Sequence, residues 1–389
     1  MVMPLKKAIL ISCFNWYDDR LRPLRKLLES KGYDVRVVLS DFDHTTKKRV
    51  IPTDSSCEYI HTPAYRKNLS LGRITSHVYF ALSVRKLLAS TEPDLIYLLV
   101  PPNLTAKFCA DYKRRNKRTK FVIDLIDLWP ESFPIQKLKN NPVFSVWKEL
   151  RNNAMKHSDL IITECAMYRT KLEKLFTDKK SGTLYLFRNQ SERTRTVVLA
   201  HMHSDRESHK NSRNISIGYV GSINNIIDIE KICCIIAKIR EAGFEVTIHI
   251  IGDGESRREF ITSAKKTGAD VIYHGIVFDE EKKARILGRC DFGLNIMKHG
   301  LSVGLTIKSV DYLSKGIPII SNIKGDTWEI VRSRQIGINY TGEPNRLVWD
   351  LLRTDWNKLS ANAYVCYTEM FTEKAFKASA NKYLSQIGI

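Results

Sequence analysis

The stretch NISIGYVGSINNIIDIEKICCIIAKIREAGFEVTIHIIGDGES (214–256) decides the fold. Its apolar runs Ile215–Val220 and Val246–Ile251 are short and continuous, which is typical of parallel strands covered on both faces. Between them, Ile227–Ala242 has helical length and periodicity. A β-α-β order of this kind predicts a parallel sheet with right-handed crossovers.

The same alternation continues on both sides of this stretch. Downstream, we predict strands or helices at Glu255–Thr267, Val271–Tyr273, Glu280–Arg289, Phe292–Ile296, Ser309–Ser314 and Ile317–Ser321. Upstream, we predict them at Ala8–Cys13, Arg20–Ser30, Val35–Leu39, Leu95–Val100, Thr105–Asn116, Phe121–Leu125, Val143–His157 and Leu160–Thr163. The polar stretch Ser191–Arg213 interrupts the pattern and is predicted to be an interdomain linker.

A chain of 389 residues with this pattern predicts an α/β protein with two doubly wound, Rossmann-like domains. Two such domains would face each other across a cleft at the carboxyl ends of their strands, where ligands of these folds bind. Hydrophobic residues make up 43% of the chain and charged residues 27%, which excludes a disordered protein. We find no apolar run of membrane-spanning length and no signal peptide. The eight scattered cysteines lack a CxxC pair, so free thiols in a reducing cytoplasm are expected.

The net charge of +20 is concentrated in the first half of the chain. Residues 1–200 hold 36 Lys and Arg against 20 Asp and Glu, which leaves only +4 for the remainder. A basic half indicates a polyanionic partner, such as nucleic acid, an anionic membrane surface or a substrate that carries pyrophosphate. Charge alone does not choose among these partners.

Two glycine turns in the second half are candidate phosphate sites. Gly221-Ser222 follows a strand and precedes a helix, so its backbone could approach a phosphate, although a plain turn explains it equally well. Gly252-Asp253-Gly254 lacks the third glycine of a dinucleotide fingerprint, and a tight turn is again the alternative. Further on, Lys308 and Asp311 are three residues apart on a helix. They could bind a diphosphate and a ribose respectively, or form an exposed ion pair.

With these motifs, residues 215–340 resemble the donor domain of family-4 retaining glycosyltransferases, which have the GT-B fold. The shared elements are the two glycine turns, the HG-x-V segment His274–Val277, and an acidic residue, Asp311, five positions before Gly316-Ile317-Pro318. The family's E-x7-E motif is replaced by Val303 and Asp311. The Arg and Lys usual after the first glycine are replaced by Ser222, Asn224 and Asn225. The resemblance implies the donor-binding residues Gly221, Ser222, Asn224, Gly252, Gly254, Gly275, Ile276, Val277, Ser302, Val303, Gly304, Lys308 and Asp311.

The loops of the first half resemble those of glycosyltransferases that build bacterial surface polysaccharides. The segment DLWPES (127–132) is common in that group. The resemblance implies that Asp127 and Glu131 are catalytic, although Asp127 could instead cap a helix. Loops at strand ends predict the acceptor-binding residues Asn15, Arg20, His44, Lys67, Asn68, Arg73, His77 and Asn103.

The resemblance implies transfer of a sugar from a nucleotide-sugar to a saccharide acceptor, with retention of configuration, in capsule, exopolysaccharide or O-antigen synthesis. The acceptor would be linked to polyprenyl diphosphate, and the enzyme would be peripheral at the inner face of the cytoplasmic membrane. Neither a metal nor another cofactor is expected. The implied domains are an acceptor-binding domain at 1–190, a linker at 191–213, a donor-binding domain at 214–370 and a C-terminal helix at 371–389 that packs back on the first domain. A nucleotide-sugar epimerase and a basic nucleic-acid-binding protein remain alternatives.

Overall fold

The computed structural model describes residues 5–14, 18–50, 56–67, 70–132, 142–175, 177–203 and 213–389. The chain divides into two compact units. The first comprises Met1–Tyr185 and Phe376–Ile389, and the second comprises Leu186–Ala375. None of the described helices is both long and apolar enough to cross a membrane.

The first unit is built on a seven-stranded parallel sheet with the order β5-β2-β1-β6-β7-β8-β9. Its strands, with the small antiparallel hairpin β3–β4, are β1 Lys6–Ser12, β2 Tyr33–Ser40, β3 Phe42–Asp43, β4 Lys48–Arg49, β5 Cys57–Ile60, β6 Leu95–Val100, β7 Lys120–Leu125, β8 Leu160–Thr163 and β9 Lys180–Thr183. Its helices are α1 Asp18–Glu29, α2 Leu71–Thr91, α3 Asn103–Arg115, α4 Pro142–His157 and α5 Ala166–Lys171, with a 3-10 turn at Glu173–Leu175.

The second unit contains a six-stranded parallel sheet with the order β12-β11-β10-β13-β14-β15. Its strands are β10 Asn214–Val220, β11 Glu245–Ile251, β12 Asp270–Gly275, β13 Phe292–Asn295, β14 Ile319–Ser321 and β15 Gly337–Asn339. The helices from here on are α6 Glu192–His203, α7 Ile229–Glu241, α8 Arg257–Lys266, α9 Glu280–Leu287, α10 Ile307–Leu313, α11 Asp326–Arg334, α12 Pro344–Leu352, α13 Trp356–Met370 and α14 Glu373–Ser385.

Each sheet reverses its strand order at one point, between β1 and β6 in the first unit and between β10 and β13 in the second. The central strands are buried on both faces, as in β6, where all six residues are buried. This burial on both faces is what their continuous apolar runs predict. In a doubly wound sheet the ligand binds at the carboxyl ends of the strands beside this reversal. The turns after β1 and β10 are consequently the places to look for a site in each unit.

Helix α2 was not predicted from the sequence, which was interpreted as a loop through residue 77. Ser70 caps the helix by accepting a hydrogen bond from the backbone N–H of Arg73. One face of α2 is buried, yet its exposed face carries Leu71, Tyr79 and Leu82. With apolar side chains on both faces the helical periodicity disappears, which explains the missed prediction. Arg73 and His77 therefore lie on a helix and not in a loop.

The region predicted as an interdomain linker also contains regular structure. Glu192–His203 forms α6, in which Thr194 and Val198 are buried. The two units divide between residues 185 and 186, earlier than the sequence indicated. At the other end of the chain, residues 376–389 return to the first unit, where the Phe376 ring lies 5.4 Å from the Arg20 guanidinium. The polar composition of 191–213 concealed a helix with a narrow buried face.

Candidate active site

The glycine turns of the second unit are tied together at the carboxyl edge of its sheet. The N–H of Gly221 donates to the carbonyl of Ile251 at 2.9 Å, and the N–H of Gly252 donates to Gly275 at 2.8 Å. A Cβ on Gly252 would lie 2.0 Å from the carbonyl oxygen of Gly221. A Cβ on Gly254 would lie 2.3 Å from that of Ile223, and both glycines have positive φ. Close backbone packing thus explains these two glycines, as the tight-turn interpretation requires.

Lys308 brings a cation to the first of these turns from a distant part of the chain. It is only 9% exposed, and its Nζ donates to the Tyr219 hydroxyl at 2.7 Å and lies 4.3 Å from the centre of that ring. A Cβ on Gly221 would lie 3.0 Å from Lys308 Cε, so the glycine makes room for the lysine stem. Burial lowers the pKa of Lys308 to about 8. The amine is therefore mostly protonated at neutral pH, although charging it is costly.

Tyr219 fixes the direction of this amine and was not identified from the sequence. Its side chain is fully buried on β10, and its ring packs edge-on against Phe260 at 5.1 Å. The hydroxyl donates to the carbonyl of Ser222 at 2.8 Å while it accepts from Lys308. One tyrosine thus connects the strand, the glycine turn and the buried cation. In the sequence it is indistinguishable from a core aromatic residue.

Asp311 is paired with a cation that the sequence analysis did not consider. Its Oδ1 accepts from Arg188 Nε at 3.1 Å, and Asp311 itself is 7% exposed. The backbone of Arg188 is held by the Tyr367 hydroxyl and the Phe371 carbonyl. Lys308 and Asp311 are therefore each bonded elsewhere, and the exposed ion pair suggested by their spacing does not form. The binding of ribose by Asp311 stays a prediction.

The loop with the predicted residues Ser302, Val303 and Gly304 is anchored from two sides. The carbonyl of Gly304 accepts hydrogen bonds from both the backbone N–H and the hydroxyl of Thr327, each at 2.8 Å. Asn295, at the end of β13, donates to Thr306 at 2.7 Å and to Ser309 at 2.8 Å. Thr306 in turn caps α10, the helix that carries Lys308. These bonds fix the entry of α10 relative to the sheet.

The remaining predicted donor residues lie at the ends of β10 and β12. Ile276 is 57% exposed whereas Val277 is buried, so only the first offers side-chain surface to a ligand. Before them, the rings of His274 and His249 stack with centroids 5.3 Å apart. Asn224 accepts a hydrogen bond from the backbone N–H of Ile226 at 3.2 Å, which uses its side-chain oxygen within its own turn.

In the first unit, the two predicted catalytic carboxylates have different surroundings. Burial raises the pKa of Asp127, although hydrogen bonds from the Ser132 side chain and the Leu128 backbone oppose the rise. Glu131 accepts two short hydrogen bonds, at 2.7 and 2.8 Å, from the fully buried Arg151. Its pKa is lowered, because these bonds outweigh the opposing effect of burial. Burial thus disfavours the charged form of Asp127, whereas Glu131, bound to Arg151, is suited to position its loop.

Two predicted acceptor residues are buried in supporting roles. Arg20 is 3% exposed, donates to both oxygens of Asp124 at 2.8 and 2.9 Å, and also donates to the carbonyl of Leu184. Asn103 is fully buried and donates to the carbonyls of Trp129 and Trp147. Neither side chain has free surface for an acceptor, so we reassign Arg20 to the support of the sheet and Asn103 to the support of the loop at Trp129.

His44, Arg73 and His77 come together beside the turn after β1. The Phe14 ring lies 4.8 Å from the His44 ring and 6.0 Å from the His77 ring, and Arg73 acts electrostatically on both histidines. Lys67 is exposed at the approach to α2. The predicted residues Asn15 and Asn68 lie outside the described residues.

Comparison with known proteins finds a family match for part of the chain and solved structures of the same fold. Residues 214–353 match the family "Glycosyl transferases group 1". A search of curated protein sequences finds no match. Similar solved structures include the sucrose-phosphate synthase from Thermosynechococcus elongatus, with a TM-score of 0.69 and 13% identity over 98% of this chain and 99% of that one.

Two further structures extend the likeness over nearly the whole chain. Anabaena Alr3699/HepE, solved with UDP-glucose, has a TM-score of 0.61 and 17% identity over 98% of this chain and 99% of that one. The lipopolysaccharide outer core galactosyltransferase WaaB has a TM-score of 0.66 and 12% identity over the same shares. At these identities the likeness shows the fold, so the two Rossmann-like units are those of a GT-B protein.

Proposed function

We propose that the protein transfers a sugar from a nucleotide-sugar bound by the second unit to a saccharide acceptor bound by the first, with retention of configuration. The observation that carries this proposal is the buried ammonium of Lys308 beside Gly221, at the end of β10. It lies within the segment that matches the glycosyltransferase family. The solved relative with UDP-glucose supports a nucleotide-sugar as the donor.

In this proposal the second unit stabilises the leaving diphosphate. Lys308 has no ion-pair partner among the described residues, so its charge is available to a phosphate oxygen. Electrostatic stabilisation of this kind is expected to be the largest catalytic contribution when the leaving group is a diphosphate. Gly221 lets the phosphate approach the backbone, and Asp311 binds the ribose in competition with Arg188. No metal is required by this arrangement.

In the first unit, Asp127 orients the acceptor or stabilises positive charge that develops on the sugar ring. The acceptor hydroxyl attacks the anomeric carbon from the face that the diphosphate leaves, and its proton passes to a diphosphate oxygen. Glu131 acts through Arg151 and holds the loop that carries Asp127. Asp127 is thus the proposed catalytic residue and Glu131 a positioning residue.

We further propose that the acceptor is linked to polyprenyl diphosphate and that the enzyme works at the inner face of the cytoplasmic membrane, in bacterial surface-polysaccharide synthesis. The charge of the first half supports an anionic surface as partner. Near the end of α3, a pocket of about 350 Å³ is lined by Asp111 and by three basic residues, Arg114, Arg115 and Lys117. Lys113 contributes less, because it is bound to Asp159 at 2.8 Å and to the carbonyl of Thr119.

The donor assignment is tested by a thermal-shift screen with UDP-, GDP- and dTDP-sugars, since a ligand that binds the folded state raises its stability. We expect one nucleotide class to raise the melting temperature, and NMR of the transfer product to show the anomeric configuration of the donor. Interconversion of the nucleotide-sugar without any acceptor would instead indicate an epimerase. Stabilisation by no nucleotide-sugar would contradict the proposal.

The membrane assignment is tested separately by co-sedimentation with vesicles that do or do not contain anionic lipid. Each Lys or Arg near such a surface contributes about 1 kcal/mol, and salt screens this attraction. We expect binding to anionic vesicles at low salt that disappears at high salt. Absence of binding at low salt would contradict the membrane assignment and leave the transferase proposal intact.

A further inference from the structure

The first two turns of α2 contribute to a compact basic cluster in the first unit. Arg73 and His77 are four residues apart, so they lie on the same side of the helix. The charge of Arg73 acts on several side chains from different elements, which are Cys13, His44, Lys47, Tyr65, His77 and Asp127. The Arg73 guanidinium lies 5.7 Å from the centre of the Trp129 ring in DLWPES, and Phe14 contacts both His44 and His77, so these segments lie close to this helix end.

His77 is the buried centre of the cluster and has an unsatisfied atom. The residue is 7% exposed, and its Nε2 has no hydrogen-bond partner among the described residues. The Phe14 ring covers one side of the imidazole. Buried polar atoms are nearly always hydrogen-bonded, so an unpaired ring nitrogen beside an arginine indicates a missing partner.

The cluster is electrostatically positive, and this potential acts on both histidines. Burial, together with Arg73, lowers the pKa of His77 to about 3. Burial, Arg73 and Lys47 lower that of His44 to about 4. Both histidines are consequently neutral at pH 7. Asp43 accepts from the backbone of Thr45 and Thr46, and Asp127 accepts from Ser132 and Leu128.

We propose that Arg73, His77, His44 and Lys47 form a binding site for a phosphoryl group. A guanidinium offers two parallel N–H donors to phosphate oxygens, and an ammonium offers a point charge. His77 Nε2 supplies a further donor once its ring is protonated or takes the tautomer with hydrogen on that nitrogen. The site stands on its own geometry. Its assignment to the diphosphate of a lipid-linked acceptor rests on the proposed function.

Binding of an anion should favour protonation of the two histidines. The negative charge cancels the field of Arg73 and Lys47, so it raises the pKa values of His44 and His77 from their depressed positions. Protonation is then coupled to binding, and affinity for the anion increases as the pH falls. The other titratable groups of the cluster are Asp43, which acts on His44, and Cys13, Tyr65 and Asp127, which interact with Arg73. The pKa of Asp43 is lowered and that of Asp127 is raised, and protonating either carboxylate would also favour the bound anion.

The test is calorimetric titration of the full chain with sulfate, which keeps its charge between about pH 5 and 8, where free histidine titrates. Running each titration in buffers of different ionisation enthalpy measures the protons taken up. We expect sulfate to bind with proton uptake, and Arg73→Gln to weaken binding about tenfold or more. Arg85→Gln, which removes the same charge further along α2, is the matched control and should bind as the wild type does. If Arg73→Gln does not fold, Lys47→Gln serves as the second test.

Histidine variants identify the groups that take up the protons. His44→Gln should reduce the uptake, whereas His61→Gln, at an exposed position, should not. Sulfate binding that is equal in Arg73→Gln and wild type, or no sulfate binding by the wild type, would overturn the proposed site.

The lipid-linked assignment is tested with inorganic pyrophosphate and geranyl pyrophosphate. Both should show a binding component that is lost in Arg73→Gln and persists in Lys308→Met, the variant that removes the phosphate-binding cation proposed for the second unit. Binding of inorganic pyrophosphate without binding of geranyl pyrophosphate would overturn the lipid-linked assignment. Loss of all binding in Lys308→Met would show instead that the probe occupies only the second unit, and would overturn the assignment. The donor screen is independent of these results, so failure of the site and failure of the transferase proposal can be told apart.

Discussion

Replacing Lys308 by methionine is expected to stabilise the second unit and at the same time to weaken nucleotide binding. The pKa of Lys308 falls from an ordinary value of 10.5 to about 8, because burial disfavours its charge. Each tenfold change in proton affinity corresponds to about 1.4 kcal/mol, so keeping the charged amine costs roughly 3 kcal/mol at pH 7. Methionine fills the same space without a charge.

The net gain should be smaller than this cost, because methionine loses the hydrogen bond to Tyr219. A hydrogen bond to a charged group contributes about 1.5–3 kcal/mol. Tyr219 keeps its bond to the carbonyl of Ser222, so its hydroxyl is not left unpaired. We therefore expect Lys308→Met to raise the free energy of unfolding by up to about 1.5 kcal/mol at pH 7.

The sign of the pH dependence follows from proton binding. Between about pH 8 and 10.5 the unfolded chain retains the lysine proton that the folded chain has lost, so wild-type stability increases with pH in this window. The advantage of Lys308→Met is therefore complete below pH 8 and disappears within this window, before about pH 10.5. Hydrogen exchange of the β10 amides at neutral and alkaline pH reports this free energy for the second unit by itself.

Nucleotide binding should respond in the opposite sense. Loss of a charge-assisted contact to the diphosphate costs about 1–3 kcal/mol, or roughly 5- to 150-fold in Kd for the nucleotide identified by the screen. Lys324→Met is the matched control, because Lys324 also lies over an aromatic ring, 4.6 Å from Trp328, but is exposed. A destabilised Lys308→Met protein, or one that binds nucleotide as tightly as wild type, would refute the reasoning.

Three further predictions test other parts of the site. Asp127→Asn should leave nucleotide affinity unchanged and lower turnover about tenfold or more in an acceptor assay, and near-normal turnover would make Asp127 structural. Asp311→Ala should weaken nucleotide binding by about 1–3 kcal/mol by calorimetry, and unchanged affinity in the folded variant would contradict ribose binding. Gly252→Ala should lower the free energy of unfolding, measured in urea, by about 3 kcal/mol or more, because its Cβ would meet the Gly221 carbonyl. The control Gly342→Ala, also at positive φ but with open space around it, should lower it by about 1–2 kcal/mol. Equal losses in the two variants would contradict the steric argument.

The parallel sheets could be predicted because their central strands are continuous apolar runs. Ile215–Val220 and Leu95–Val100 were located to within a residue on this ground alone. Helix α2 escaped because both of its faces carry apolar side chains. The helix α6 escaped because a polar composition conceals its small buried face. Local patterns therefore reveal strands that are continuously apolar and helices with one apolar and one polar face. They miss helices in which the two faces do not differ clearly in polarity.

Side-chain partners could not be predicted, since they depend on contacts between distant segments. The spacing of Lys308 and Asp311 correctly indicated a shared helix, but it suggested an ion pair between them. In the structure Lys308 turns to Tyr219, 89 positions away, and Asp311 turns to Arg188, 123 positions away. Similarly, nothing in the sequence indicates that Arg151 forms an ion pair with Glu131 or that Asp124 forms one with Arg20.

The charges at the carboxyl edge of the second sheet explain how a site could bind a diphosphate without basic residues in its first turn. Asp311 is neutralised by Arg188, whereas Lys308 is buried without an ion-pair partner among the described residues. A buried cation without a counter-charge destabilises the empty protein and is relieved only when an anion binds. The lysine stem lies against residue 221, where a glycine leaves room for it, and we propose that this cation from α10 replaces the basic residues absent at Ser222 and Asn224. The buried charge of Lys308 thus lowers the stability of the protein without ligand and raises its affinity for the nucleotide. For this reason we expect substitution of Lys308 to change stability and affinity in opposite directions.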